Sequence, residues 1–471
     1  MRMGKVLGLA LAGGGLLAVA PSLARAGEDP SLQDRLQQLE KQVDELKVQL
    51  NRKEAEPLSA QVDRYLQEQE KGVLWVDKNG KPLGKVVDSI YVTGWLRARP
   101  TWSDNTTDLD NATNDNGFNT FFRGGLGVGA NLKGKVSMYV GLDFAGTWGN
   151  TTTLVGNDTP TTPTVQEAYI DGLYSKHLNM DTRLGRFQME YGDEYVIGNT
   201  EFAQASTYFD GVRVGSNAEK AGFKYDIFAA KLIDGFKNPL APSPNDSAYM
   251  AGFYGDFYGF QDKTKMPGGL EPYYIWIYNG QQAPGTATPR PLDIHTGGFR
   301  WYGEKSTKDH AGIGWNVNAN LQYLKDLGWS TDSRVHYTMT NMKWKPQVFG
   351  QFAYASGDRD GVTGYNPLWQ DGHGRFGYAD QFVFSNLLVG GVGVRVTPSE
   401  NFTLGVEGRV FRQARETVLL DEKKLAMELD FVITHKYSDN VAVEAAYSYV
   451  KLQDLPGDDV QRAYVQVVVS F

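Results

Sequence analysis

Between Ser89 and Phe471, apolar and polar residues alternate in segment after segment of about ten residues, parted by clusters of Gly, Asn, Asp, Pro and Ser. A period of two belongs to extended chain, where successive side chains point to opposite sides, so each segment predicts a strand with one apolar and one wet face. In the first segment Ile90, Val92, Gly94, Leu96 and Ala98 share a face and Tyr91, Thr93, Trp95, Arg97 and Arg99 take the other. Val136, Met138, Val140, Leu142, Phe144 and Trp148 oppose Ser137, Tyr139, Asp143 and Thr147 in the same way. At the end, Ala463, Val465, Val467, Val469 and Phe471 oppose Arg462, Tyr464, Gln466 and Ser470.

Alternation alone fits either a soluble sandwich or a barrel. The connections decide between them. About 18 segments are countable, and long connections (101–117, 150–163, 192–205, 234–247, 359–385) alternate with short ones (133–134, 176–178, 397–401, 436–440). That is the pattern of a membrane barrel with different solvents at its two ends, and closure leaves no strand edge unpaired in lipid. The connection 259–270 breaks the pattern, being long where a short one is due. The expected fold is therefore all-β, a transmembrane antiparallel barrel over residues 89–471.

What precedes the barrel reads differently. Arg2 and Lys5 come before an apolar stretch from Val6 to Ala20, followed by Ala24-Arg25-Ala26. This is the form of a cleaved secretory leader over residues 1–26 rather than of a membrane anchor, being too short and broken by glycine. Within residues 27–53, Leu32, Leu36, Leu39, Val43, Leu46 and Leu50 recur at spacings of four and three, as in a short coiled coil. A single amphipathic helix is the other reading, and leucine at most seam positions does not choose between two strands and three. Residues 54–88 read as a polar periplasmic linker, with Asn79-Gly80 and Pro82 as turn signals.

Composition removes whole classes of function. No cysteine is present, so disulfides, thiolate metal sites and cysteine nucleophiles are out. Loss of the leader takes three of the 47 basic groups and no acid, leaving 44 against 55 and a balance of −11, which disfavours nucleic-acid binding. Gly125-Leu126-Gly127-Val128-Gly129 lacks the strand-turn-helix setting of a phosphate loop, and glycines alternating on a strand make room inside a barrel instead. Asp358-Arg359-Asp360-Gly361 with Asp371 offers oxygen ligands without a calcium-binding loop. The six histidines (His177, His295, His310, His336, His373, His435) have no zinc spacing, and no nucleophile elbow occurs. Neither enzyme activity nor a cofactor is expected.

The terminal strand, with Val467, Val469 and Phe471 on its apolar face, resembles the C-terminal signal by which outer-membrane barrels reach their insertion machinery. More specific motifs lie in the middle. Gly185-Arg186-Phe187-Gln188 before Tyr191-Gly192-Asp193-Glu194, then Phe209-Asp210-Gly211-Val212-Arg213, and later Ala355-Ser356-Gly357-Asp358 with Gly377, Asp380, Ser385 and Asn386, resemble in order and spacing the signature of the alginate-export family of outer-membrane porins. The resemblance covers about residues 90–471 and implies an 18-stranded barrel giving passive passage to a polyanionic polysaccharide through a constriction rich in arginine. The coiled coil is outside that plan and resembles instead trimeric phosphate-type porins, so a homotrimeric general or phosphate porin is the alternative. A tether between outer membrane and cell wall is the reading from another class.

Strand parity points Arg97, Arg99, Arg123, Arg186, Arg213, Arg300, Arg395 and Arg409 inward. A guanidinium keeps its charge at any relevant pH and presents a fork of donors to carboxylate or phosphate, so inward arginines favour an anionic saccharide or small anion. The same parity places Asp143, Glu167, Asp171, Glu190, Glu407, Glu428, Asp430 and Glu444 inside, so some of those arginines are expected to be neutralised by neighbours.

Overall fold

The computed structural model describes residues 37–44 and, between 87 and 471, all but 107–108, 110–116, 133–135, 149–162, 173–179, 217–221, 233–247, 259–267, 280–291, 309, 325, 358–363, 417–423 and 456. The chain divides into two units, Met1–Val86 and Val87–Phe471. Of the first, residues 37–44 form a helix carrying Leu39 and Val43, one turn apart. The leader, Leu32, Leu36, Leu46, Leu50 and nearly all of the linker lie outside the described residues.

The second unit is a single antiparallel sheet of 18 strands. In chain order these are β1 (Val87–Asp104), β2 (Gly117–Leu132), β3 (Val136–Trp148), β4 (Thr164–Asp171), β5 (Met180–Phe187), β6 (Phe209–Ser216), β7 (Phe223–Lys231), β8 (Ala248–Phe257) and β9 (Gly269–Asn279). They continue with β10 (Leu292–Glu304), β11 (Gly312–Tyr323), β12 (Leu327–Thr338), β13 (Gln347–Ala355), β14 (Leu387–Ser399), β15 (Phe402–Gln413), β16 (Lys424–Ser438), β17 (Val441–Leu452) and β18 (Val460–Ser470). Each strand pairs with its sequence neighbours, and β18 returns to β1 with Leu96 opposite Val469 and Ala98 opposite Val467. Phe471 extends that seam, its N–H donating to the Gly94 carbonyl at 2.8 Å and its carbonyl accepting from the Gly94 N–H at 3.0 Å. The barrel is closed, and with closure comes the internal pairing of backbone polar groups that a lipid environment demands.

The two faces are those that the alternation predicts. On β1, Ile90, Val92 and Leu96 are 69%, 54% and 43% exposed, whereas Arg97 and Arg99 are 3% exposed. Met138, Val140 and Leu142 face outward on β3, and Val465 and Val469 on β18, while Tyr464 is buried. Arg123 sets the inward parity of β2, so Gly125, Gly127 and Gly129 also face in. A side chain there would collide with Trp95, Tyr139 and Tyr91, which lie across the strand; room is what these glycines provide.

One end of the barrel carries mostly short turns, such as 400–401 and 439–440, and the other carries the long connections. Two of the latter, over residues 188–208 and 364–386, turn back into the lumen. Their Met189, Tyr195, Ile197, Tyr365, Trp369, Phe376 and Phe384 form one buried cluster with wall residues such as Phe209, Ile275 and Phe411. The apolar core thus sits inside the barrel at the level of these loops, where they meet the wall.

Candidate functional site in the barrel lumen

The first inward loop, 188–208, follows β5 and crosses toward β1 and β2. Wall arginines hold its far end. Arg97 donates to the carbonyls of Glu201 and, at 2.9 Å, Ala203, and to Gln204 Oε1 at 2.6 Å. Arg99 donates to the Phe202 carbonyl at 2.6 Å, with its guanidinium carbon 3.7 Å from the Phe202 ring centroid. Arg123 reaches the Ala203 carbonyl at 3.1 Å and the Ser206 hydroxyl, and forms a two-pronged pair with Asp143 of β3 at 2.9 and 3.1 Å. These rows of donors face the loop because Arg97, Arg99 and Arg123 keep the inward parity of paired strands, with Arg97 directly opposite Arg123.

Strand-like pairing joins this loop to the second one. Gly198 N–H donates to the Trp369 carbonyl at 2.9 Å, Trp369 N–H to Val196 at 3.2 Å and Asp371 N–H to Glu194 at 3.1 Å. His373 of the second loop stacks on Phe202 of the first, centroids 3.4 Å apart, and its ring nitrogens lie 2.9 Å from Asp380 Oδ1 and 3.0 Å from the Tyr464 hydroxyl.

The second loop is held largely by wall carboxylates. Arg375 pairs with Asp332 of β12 at 2.6 Å and with Asp193 of the first loop at 2.9 Å. Glu428 of β16 accepts the N–H groups of Tyr378 at 2.8 Å and Ala379 at 3.0 Å. Gly377 sits against that carboxylate with φ of 103°, a conformation and a space that no other residue would share. Arg409 donates to the Gly374 carbonyl at 3.0 Å, but its charge is spent on Glu407 at 2.6 Å and Asp430 at 2.7 Å, all with side chains 0% exposed. Arg462 of β18 pairs with Asp380 at 2.8 Å.

Charges on the loops respond to this packing. Burial raises the Asp193 carboxyl, but the Arg375 and Arg300 guanidiniums and the Asn316 and Asn318 amides outweigh it and hold the group down at about 2. Burial together with the Asp371, Glu190 and Glu201 carboxylates pushes Glu194 up to about 7. Cavities flank the loop pair. One of about 540 Å³ is lined by Arg97, Arg123, Glu167 and Glu444, and another of about 370 Å³ by Arg334, Arg375, Arg395 and Glu194. Asp371 and His373 border both.

Of the eight arginines that parity placed inside, seven are there. Arg213 faces Asp226 at 3.7 Å, Arg300 pairs with Glu271 at 2.8 Å and Arg395 with Glu407 at 2.5 Å. Arg186 is the correction. On β5 the buried Phe187 belongs to the interior cluster, so Arg186 lies on the outer face beside Leu184, paired with Asp210 at 2.6 Å. The expectation failed because β5 is short and Leu184-Gly185-Arg186-Phe187 has no clean alternation: the apolar Phe187 turns inward to meet the loop core and displaces the polar residue to the outside.

Sequence reasoning did not single out Arg375, Asp332, Arg334 or Arg462. The first was hidden in a long connection without periodicity, and nothing in the sequence says that a loop folds inward. Asp332, Arg334 and Arg462 carry the inward parity of β12 and β18 and were within reach of the same test. Among the described residues no group of three or more acidic, histidine or cysteine side chains could hold a metal ion.

With this geometry in place, comparison with known proteins is informative. The model of the alginate export family matches residues 162–463, a span containing both inward loops. No curated protein matches the chain by sequence. Among solved structures, Pseudomonas aeruginosa OccK8 (OprE) is similar, with a TM-score of 0.56 at 12% identity over 82% of this chain and 98% of that one. Acinetobacter baumannii OccAB1 has a TM-score of 0.58 at 10% identity, over 82% and 97% of the two chains. Pseudomonas aeruginosa OccK2 (OpdF), solved in complex with glucuronate, has 0.56 at 9% identity, over 82% and 99%. Identities this low speak for a shared fold alone.

Proposed function

This chain belongs to the alginate-export family and is an outer-membrane channel, and from that premise we propose that it gives passive, anion-favouring passage to an anionic oligo- or polysaccharide. The observation that carries the reading is a set of lumen guanidiniums without a counter-charge. Arg97, Arg99 and Arg334 form no ion pair among the described residues; Arg97 and Arg99 spend their donors on neutral groups, and Arg334 on the Gln351 amide. A hydrogen bond to a carbonyl fixes a guanidinium without cancelling its charge, so these positions stay attractive to a passing carboxylate. Arg123, Arg375, Arg395 and Arg409 are neutralised nearby and contribute shape more than potential. Weak contacts repeated along the path suit transport, since a tight single site would slow release. The family's name and the glucuronate held by one structural neighbour both point to sugar carboxylates as the solute class.

Planar-bilayer reversal potentials in a potassium chloride gradient test this. Wild-type channels should prefer chloride, and Arg97→Ala combined with Arg99→Ala should reduce the preference. Potassium preference in the wild type would overturn the proposal. With it go finer expectations: removal of residues 1–26, homotrimer formation through residues 27–53, delivery to the insertion machinery through Val467, Val469 and Phe471, and no catalysed reaction. Crosslinking that finds only monomer would remove the trimer.

A further inference from the structure

We propose that the outer face of β5 to β9 carries a binding site for a phosphorylated glycolipid of the outer leaflet. The site rests on two adjacent cross-strand rows. One row runs Arg186, Asp210, Lys231, Tyr249 and Tyr278, each directly opposite the next across neighbouring strands. The row one step nearer the turn end runs Leu184, Val212, Ala229, Ala251 and Trp276, paired in the same manner. The two alanines at its centre leave a groove of about 670 Å³, walled by Leu184 and Val212 on one side and by Tyr249 and Trp276 on the other.

The charges in the upper row need an explanation. On the lipid face of a barrel an Arg or Lys costs roughly 2–4 kcal/mol at the bilayer midplane but only about 0–1 near the interface. The row sits at the strand ends that enter the long connections, and Tyr249, Trp276 and Tyr278 supply the aromatic residues typical of an interface. This is the outer-leaflet boundary. Asp210 takes Arg186 at 2.6 and 2.8 Å, so it neutralises one cation. Lys231 forms no ion pair among the described residues and stands next to that pair; the row ends beyond Tyr278 in Asp293, whose carboxylate accepts the Trp276 indole N–H at 3.2 Å, so the free positive charge lies at the Lys231 side of the apolar groove. An acyl chain lying over Ala229 and Ala251 and a phosphate meeting Lys231 and the outer edge of Arg186 would satisfy both halves, as basic patches at membrane boundaries satisfy anionic head groups.

Native mass spectrometry on the full chain, released from detergent in the presence of purified diphosphorylated lipid A, reads this directly. One lipid A should remain bound to the wild type. Lys231→Ala should weaken retention on the order of fivefold, Lys231→Glu more, and Ala251→Leu, which fills the groove without touching a charge, should weaken it as well. Single-channel conductance, unaffected by an outer-face change, confirms that each variant is a folded barrel and keeps this test separate from the lumen proposal. Equal retention of phosphatidylethanolamine, or undiminished lipid A retention by Lys231→Glu, overturns the site. Competition by free inorganic phosphate at the same concentration overturns the lipid assignment in favour of a bare anion site.

Discussion

The two inward loops are fastened to the same wall by different electrostatics. Residues 201–206 of the first are gripped by wall cations that donate to backbone carbonyls: Arg97, Arg99 and Arg123. Residues 374–380 of the second are gripped by wall groups of both signs, Asp332 on the Arg375 guanidinium, Glu428 on two backbone N–H groups and Arg462 on the Asp380 carboxylate, with Arg409 already neutralised. A carbonyl is a neutral partner, so at the first loop fastening leaves positive charge in the lumen. At the second, Asp332, Arg409 and Arg462 each meet an opposite charge, so fastening itself leaves little field, and the unpaired Arg334 beside it is held by the Gln351 amide instead. One loop therefore tunes selectivity as well as shape; the other sets shape.

The largest effect should come from the second loop. Arg409→Ala would leave Asp430 buried without its cation and Glu407 with Arg395 alone, a change that costs about 3–5 kcal/mol when a buried ion pair is broken from one side. Thermal unfolding of the detergent-solubilised barrel should show a markedly lower midpoint, and an unchanged midpoint would mean that water or loop rearrangement replaces the guanidinium. Next comes Glu428. Glu428→Ala strands the Tyr378 and Ala379 N–H groups and should cost roughly 1–3 kcal/mol. Glu428→Gln keeps an acceptor for them and presents an amide to the adjacent Asp430, so it should be as stable as the wild type or more so. If Gln were as damaging as Ala, the negative charge itself and not its hydrogen bonds would be holding the loop.

The first loop gives the smaller, sharper contrast. Arg99→Lys retains a positive charge in the lumen but loses the planar stack on Phe202, worth about 0.5–2 kcal/mol. Stability should fall by that amount in thermal unfolding while the reversal potential stays near wild type. Arg99→Ala should move both. A selectivity loss in Arg99→Lys as large as in Arg99→Ala would show that guanidinium placement, rather than charge, sets the preference.

Much of the wall was legible in the sequence because a period-two pattern depends only on local chain geometry. Ile90, Val92 and Leu96 could be assigned outward, and Arg97 and Arg99 inward, from β1 alone. Closure by β18 against β1 followed from the alternation of long and short connections. The loops were not legible in this way. What turns residues 188–208 and 364–386 inward is a set of contacts between residues distant in sequence, such as Arg97 with Ala203 and Arg375 with Asp193, for which no short-range pattern exists. The motif Tyr191-Gly192-Asp193-Glu194 did mark the spot. Its physical meaning emerges only in three dimensions, where Gly192 takes a φ of 62° against Glu271 and Tyr254 and Asp193 reaches Arg300 and Arg375. Arg186 shows the limit of parity: where a strand end meets a loop core, the larger apolar burial of Phe187 decides which way the chain faces.

The smallest expected effect lies where the two loops touch. Glu194, beside Asp371, is raised by burial and by neighbouring carboxylates to about 7, above its unfolded value near 4.5. A carboxyl whose folded value is raised binds its proton more readily in the folded state, so its contribution to stability is complete below the unfolded value and is lost as pH rises through about 7. The same titration adds a negative charge to the lumen at high pH. Moving from pH 8 to pH 6 should therefore shift the reversal potential toward chloride and modestly raise the unfolding midpoint. Asp371, His373 and Glu190 face the same space, so the diagnostic quantity is the difference between wild type and Glu194→Gln, which should lack that component of both shifts. If the variant titrates as the wild type does, the loop junction is not where the channel senses charge, and the uncompensated wall arginines Arg97, Arg99 and Arg334 would carry selectivity alone.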